Sequence, residues 1–167
     1  GNALASRYPL TDIEILRFPA APLSLPLLVP GEKGMQVLKV ADEPRLAIIA
    51  TANTPSGPLT VATTHLSFVP GYNIKQLRKL TRQVSKRNQR ALIFGDFNLI
   101  AGLPTLVSRW QSLAKLATYP VFKPRVQFDH ILAQGFDASA IGPARASAQR
   151  YSLDVSDHCA LVVTIGH

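Results

Sequence analysis

Four short clusters place histidine, aspartate and asparagine beside apolar runs: Thr64-His65-Leu66, Gly95-Asp96-Phe97-Asn98, Phe128-Asp129-His130-Ile131 and Ser156-Asp157-His158. With His130 left aside, they offer two imidazoles (His65, His158), three carboxylates (Asp96, Asp129, Asp157) and one amide (Asn98). Such a set can hold a hard divalent cation through oxygen and move a proton. Phosphoester hydrolysis calls for those groups: a base or orienter for the attacking water, neutralisation of developing oxygen charge, and donors around phosphorus. Acyl transfer fits less well, because there is no Gly-x-Ser-x-Gly turn and the single cysteine, Cys159, lies in an apolar run where it reads as core packing. A His-Glu-x-x-His zinc helix and a Cys/His cluster at zinc-finger spacing are also missing.

Each cluster alone has a plainer explanation. Gly-Asp-x-Asn is good turn chemistry after a strand, and a histidine at a strand end often only completes local hydrogen bonding. Asp157 could simply anchor a loop. Asp129 and His130 are neighbours, and strand neighbours face opposite sides, so only one can enter a common cleft; Asp129 is preferred.

The elements that must position these groups are visible as periodicity. Met35–Val40 and Leu46–Thr54 read as strands, and Pro55-Ser56-Gly57-Pro58 turns the second of them into Leu59–Leu66, which ends at His65. Between Tyr72 and Asn88 the residues Ile74, Leu77, Leu80 and Val84 recur at helical spacing. Ala91–Phe94 reads as a strand that stops at Gly95-Asp96, Thr105–Leu116 as a helix, and Phe128–Leu132 and Cys159–Ile165 as strands. This order implies mixed sheets covered by helices in one domain spanning 1–167. Tyr72 and Trp110 are the rings that could stack on a base, too scattered to form a platform.

With 47% hydrophobic residues the chain can bury a substantial core. The apolar run Leu23–Val29 is flanked or broken by Pro22, Pro26 and Pro30 and is far shorter than the roughly 20 residues a bilayer-spanning helix needs. The net charge of +8 is concentrated: Lys75, Arg78, Lys79, Arg82, Lys86, Arg87 and Arg90 lie in 74–90 with no acid among them. That segment is either a solvated helix face or a surface for a polyanion such as nucleic acid.

The ordered set Thr63-Thr64-His65-Leu66-Ser67, Gly95-Asp96-Phe97-Asn98, Phe128-Asp129-His130-Ile131 and Ser156-Asp157-His158 resembles the endonuclease/exonuclease/phosphatase (DNase I-like) superfamily. Asp42-Glu43-Pro44-Arg45 and residues 65–71 are further similar to its small bacterial hydrolases. The resemblance implies an α/β fold, a four-layer α-β-β-α sandwich with mixed sheets, and Mg²⁺- or Mn²⁺-assisted attack of water on phosphorus. It assigns His65 to the scissile phosphate or the leaving group, Asp96 to the water, and Asn98 to the phosphoryl oxygens. Asp129 would support a catalytic histidine or the phosphate, Asp157 would bind the metal, and His158 would act on the phosphate or as proton partner.

The family's opening strands, one with an asparagine and one with a metal-binding glutamate, have no counterpart here. Gly1-Asn2-Ala3-Leu4-Ala5-Ser6-Arg7 resembles the strand that follows them, and Glu14 and Glu32 stand in the wrong context to replace the glutamate. The chain is therefore expected to match the carboxy-terminal two-thirds of the domain, with a weakened metal site and apolar surface that favours self-association. The alternative expectation is a catalytically impaired member that binds nucleic acid or protein through the basic segment 74–90.

Overall fold

The computed structural model describes residues 1–31 and 34–166. Its elements are β1 (Leu10–Phe18), β2 (Ser24–Gly31), β3 (Gly34–Ala41), β4 (Arg45–Thr54), β5 (Gly57–His65), α1 (Tyr72–Val84), β6 (Ala91–Asp96), α2 (Leu103–Ser108), β7 (Gln111–Ser112), β8 (Asp129–Gln134), α3 (Ala138–Ala146), β9 (Gln149–Tyr151) and β10 (Ala160–Val162). Six strands form one mixed sheet in the order β1-β4-β5-β6-β8-β7, and β2-β3 and β9-β10 are separate two-stranded ribbons.

The centre of the sheet follows from composition. β4 and β5 are rich in alanine and β-branched residues and are buried over most of their length, which suits strands covered on both faces. They pair antiparallel through a two-residue turn at Pro55-Ser56, with Thr54 opposite Gly57. β5 then crosses through α1 to the parallel strand β6, the one parallel pair of the sheet.

Alternation along the strands sorts side chains onto two faces. Ala47, Ile49, Ala62, Ile93 and Leu132 face α1, whose Leu77, Leu80 and Val84 complete a core with Phe18, Phe97 and Trp110. Truncating fully buried Leu80 to alanine would cost about 2–5 kcal/mol. Val61, Leu92, Phe94, Ile131 and Ala133 face the other way, toward α3 and the chain segment that contains β10. Helices on one face and a small ribbon with a helix on the other give the layered α/β arrangement.

Several expected boundaries differ. The helix expected over Thr105–Leu116 is α2 alone: Arg109 takes a left-handed φ of 63°, the Ser108 hydroxyl accepts from the Trp110 amide, and the chain re-enters as edge strand β7. Trp110 is thereby driven into the core, so it is no stacking platform. α1 ends at Val84, four residues before Asn88, which leaves Lys86, Arg87 and Arg90 outside the helix. The expected strand Cys159–Ile165 is paired only over Ala160–Val162, because beyond it Thr164 turns its amide to the Ser147 hydroxyl. Residues 1–9 form no strand; Asn2 Nδ2 donates to the Leu46 carbonyl at 2.8 Å. Glu14 is tied to Arg87 (2.8 Å) and Gln83, and Glu32 lies outside the described residues.

Candidate active site

The site is assembled by strand register. His65, the last residue of β5, lies opposite Asp96, the last of β6, and Asp96 lies opposite Asp129, the first of β8. By alternation all three share a face with Val61, Phe94 and Ile131. His158, beyond β9, completes the row: its Nδ1 is 2.7 Å from Asp129 Oδ2. Carboxyl ends of parallel strands are where open α/β sheets place their ligands.

Gly95 is what lets Asp96 reach this position. Its φ is 134°, and a Cβ added there would lie 1.9 Å from the Thr64 carbonyl oxygen. Only glycine fits a backbone approach that close. Beyond Asp96 the chain reverses through Asn98, whose left-handed φ of 49° asparagine tolerates better than most residues. The Asn98 amide donates to Asp96 Oδ1 (2.8 Å), and its Nδ2 donates to the Leu66 carbonyl (3.0 Å). Asn73 Nδ2 donates in turn to the Asn98 carbonyl (2.8 Å). Asn98 thus clasps the loop after His65 to the loop after Asp96.

The segment after His65 is held by a second network that sequence reading missed. Ser67 donates its hydroxyl to Asp42 Oδ2 (2.9 Å) and its amide to Gln76 Oε1 (2.8 Å), while the Val69 amide returns to the Ser67 hydroxyl. The pattern Ser-x-Val ahead of a helix was the available signal, a hydroxyl turn. The partner Asp42 is distant in sequence and gave none.

Charge separates the roles. Burial raises the Asp96 carboxyl to about 6, with the charge of Asp129 adding to the rise and the Asn98 amide opposing it. Burial also lowers the basicity of His65, reinforced by the positive charge of Arg45 at the start of β4. His65 Nε2 and Asp96 Oδ2 are 3.5 Å apart, so near neutral pH this is a contact between a neutral imidazole and a carboxylate. Arg45 was noted in the sequence only as part of a resemblance; its Nε is buried without a partner among the described residues.

The Asp129–His158 pair works differently. An ionised carboxylate only accepts, so the short contact puts the proton on Nδ1 and leaves Nε2 as the nitrogen not engaged by Asp129. Tyr119 and Phe128 hold the ring from the side, with centroids 4.9 and 6.3 Å from that of His158. His130 points to the opposite face: it is 2% exposed, stacks on Phe97 and bonds the Leu99 carbonyl through Nε2 (2.8 Å). It is a core histidine. Cys159 is buried beside Val121.

Asp157 is exposed on the turn before His158, and its backbone carbonyl accepts from Val121 at 2.8 Å. Among the described residues no three His, Cys, Asp or Glu side chains come together as a cation site. The donors present therefore do not by themselves fit the divalent ion that the resemblance implies. No helix among them is long and apolar enough to cross a membrane.

No family model and no curated protein matches the sequence. Solved structures do match by shape. The endonuclease/exonuclease/phosphatase from Bacteroides vulgatus is 14% identical with a TM-score of 0.60, over 93% of this chain and 65% of that one. The mannosyl-6-phosphatase of Bacteroides thetaiotaomicron is 11% identical with a TM-score of 0.60, over 96% and 67%. D. rerio TDP2 complexed with a single-strand DNA product is 17% identical with a TM-score of 0.58, over 96% and 69%. The chain thus spans about two thirds of the length of these structures. The six-stranded mixed sheet backed by α1 and α2 gives this chain the DNase I-like α/β fold of these structures.

Proposed function

We propose that the row His65, Asp96, Asp129 and His158 hydrolyses a phosphoester by attack of water on phosphorus. The observation that carries this is the register of three adjacent strands, which lines up two carboxylates and an imidazole on one face with His158 bonded to the last of them. Asp96, ionising at about 6, is mostly a carboxylate at neutral pH and still basic enough to take a proton from water. His158 Nε2, oriented by Asp129, carries a proton to or from a phosphoryl or leaving-group oxygen. His65, 46% exposed and neutral, donates to the phosphate at the rim, and Arg45 supplies fixed positive charge nearby. The structural neighbours support the reaction class, since one is a mannosyl-6-phosphatase and another holds a single-strand DNA product.

A requirement for Mg²⁺ or Mn²⁺, with Asp157 as a ligand, rests on the sequence resemblance, and no step above uses it. Hydrolysis of bis-p-nitrophenyl phosphate with Mg²⁺, Mn²⁺ or chelator tests the reading. Turnover is expected; none under any of the three conditions sinks catalysis by this chain.

One observation favours a second role. Lys75, Arg78, Lys79, Arg82 and Lys86 line one shallow depression of about 470 Å³, and none has a carboxylate partner among the described residues. A polyanion held there would be released steeply as salt rises, so a flat salt dependence of oligonucleotide binding removes this reading.

A further inference from the structure

A hollow of about 710 Å³ opens at Phe128, the residue that precedes Asp129. One wall is Ile100–Gly102, the loop that follows Asn98, and the other includes Val126, Gln127 and Phe128, which lead into Asp129. Phe128 borders both places: it lines the cleft, and its ring centroid lies 6.3 Å from that of His158. Gln127 fixes that wall, donating through Nε2 to the carbonyls of Ala114 (3.0 Å) and Asp129 (3.1 Å). A phosphoester whose phosphorus sits on the row can therefore lay its organic part past Phe128.

The cleft is mostly apolar, yet two cations, Lys115 and Arg125, stand at it. Both are exposed, and neither forms an ion pair among the described residues. Two cations lining one mostly apolar cleft, which shares Phe128 with the surroundings of His158, suit a ligand that carries a second anion away from the phosphate on the row.

We propose that this cleft takes the organic part of the substrate and that Lys115 and Arg125 bind a second anionic group on it, so that the preferred substrates are phosphoesters carrying two negatively charged groups. This rests on the hydrolase reading for the placement of the first phosphate. It needs no turnover to be tested.

The probes are thymidine 3′,5′-bisphosphate and thymidine 5′-phosphate, whose dissociation constants are measured by calorimetry on the chain and on a Lys115→Met/Arg125→Met variant. Charged hydrogen bonds of ordinary strength imply that the bisphosphate binds about tenfold more tightly than the monophosphate. The double variant should lose that preference while its affinity for the monophosphate stays within about twofold. Equal binding of the two probes by the unaltered chain, or a preference that survives in the variant, overturns the proposal. A bisphosphate preference without hydrolysis would uphold the cleft and reject the catalytic reading. Hydrolysis without the preference would do the reverse.

Discussion

Replacing Asp96 by asparagine separates what this residue does for chemistry from what it does to stability. Its carboxyl ionises at about 6 in the folded protein against an ordinary 3.8, so the fold binds the neutral form more tightly than the charged one. A raised acid pKa contributes stability that is fully present below the unfolded value and is lost as pH rises through the folded value. The window is therefore about pH 4 to 6. About two units correspond to about 3 kcal/mol, an upper bound for a side chain that is 16% exposed. Asparagine keeps an oxygen for the Asn98 amide and never ionises. Asp96→Asn should accordingly be more stable than the parent at pH 8, by up to about 3 kcal/mol or roughly 6–12 °C in Tm, and equal to it near pH 4. Urea unfolding at pH 4, 6 and 8 measures this. A variant less stable at pH 8, or a difference independent of pH, would refute the reasoning that burial dominates at Asp96. In the parent, hydrolysis should fall on the acid side with a midpoint near 6 as the base is protonated.

Three further outcomes follow from the same contacts. Gly95→Ala places a Cβ 1.9 Å from the Thr64 carbonyl, so denaturant midpoints should show a loss above about 2 kcal/mol or no folded protein at all. Asp129→Asn and His158→Gln each break one pair; each should lower kcat by about 10²–10⁴, and the double variant should be little worse than either, which steady-state kinetics reads directly. Ser67→Ala removes the hydroxyl that Asp42 accepts from and leaves that buried carboxylate short of a donor, at a cost of about 1–3 kcal/mol in urea unfolding.

Much of the candidate site was legible in the sequence because its residues sit where patterns break. The β4–β5 hairpin ends at His65 and β6 ends at Asp96, so a hydrophobic run followed by a polar residue marked each position. Strand alternation also sorted Asp129 from His130 correctly as to face: one bonds His158, the other is buried under Phe97. What sequence could not supply was register. Nothing local says that His65, Asp96 and Asp129 fall opposite one another, since that is set by the lengths of crossovers and turns. The helix expected at Thr105–Leu116 failed because Leu, Val, Trp and Ala in a short run satisfy both periods, and a left-handed Arg109 decided between them. Arg45, at the start of β4, bears on Asp96 and His65, and Asp42, in the short link before it, holds Ser67, relations that only the folded chain creates.

The exposed isoleucines Ile13 (63%) and Ile15 (45%) on edge strand β1 bear on the proposal of self-association. Light scattering should show an oligomer that Ile13→Lys disperses; a monomer at all concentrations rejects this edge as a contact.

The most direct measurement of the central claim is hydrolysis of bis-p-nitrophenyl phosphate by the unaltered chain, by Asp96→Ala and by His158→Ala, each checked for folding by circular dichroism. Turnover lost by about 10²-fold or more in both folded variants is the predicted result. Undiminished turnover in both would mean that the row at the end of β5, β6 and β8 is not where the chemistry occurs.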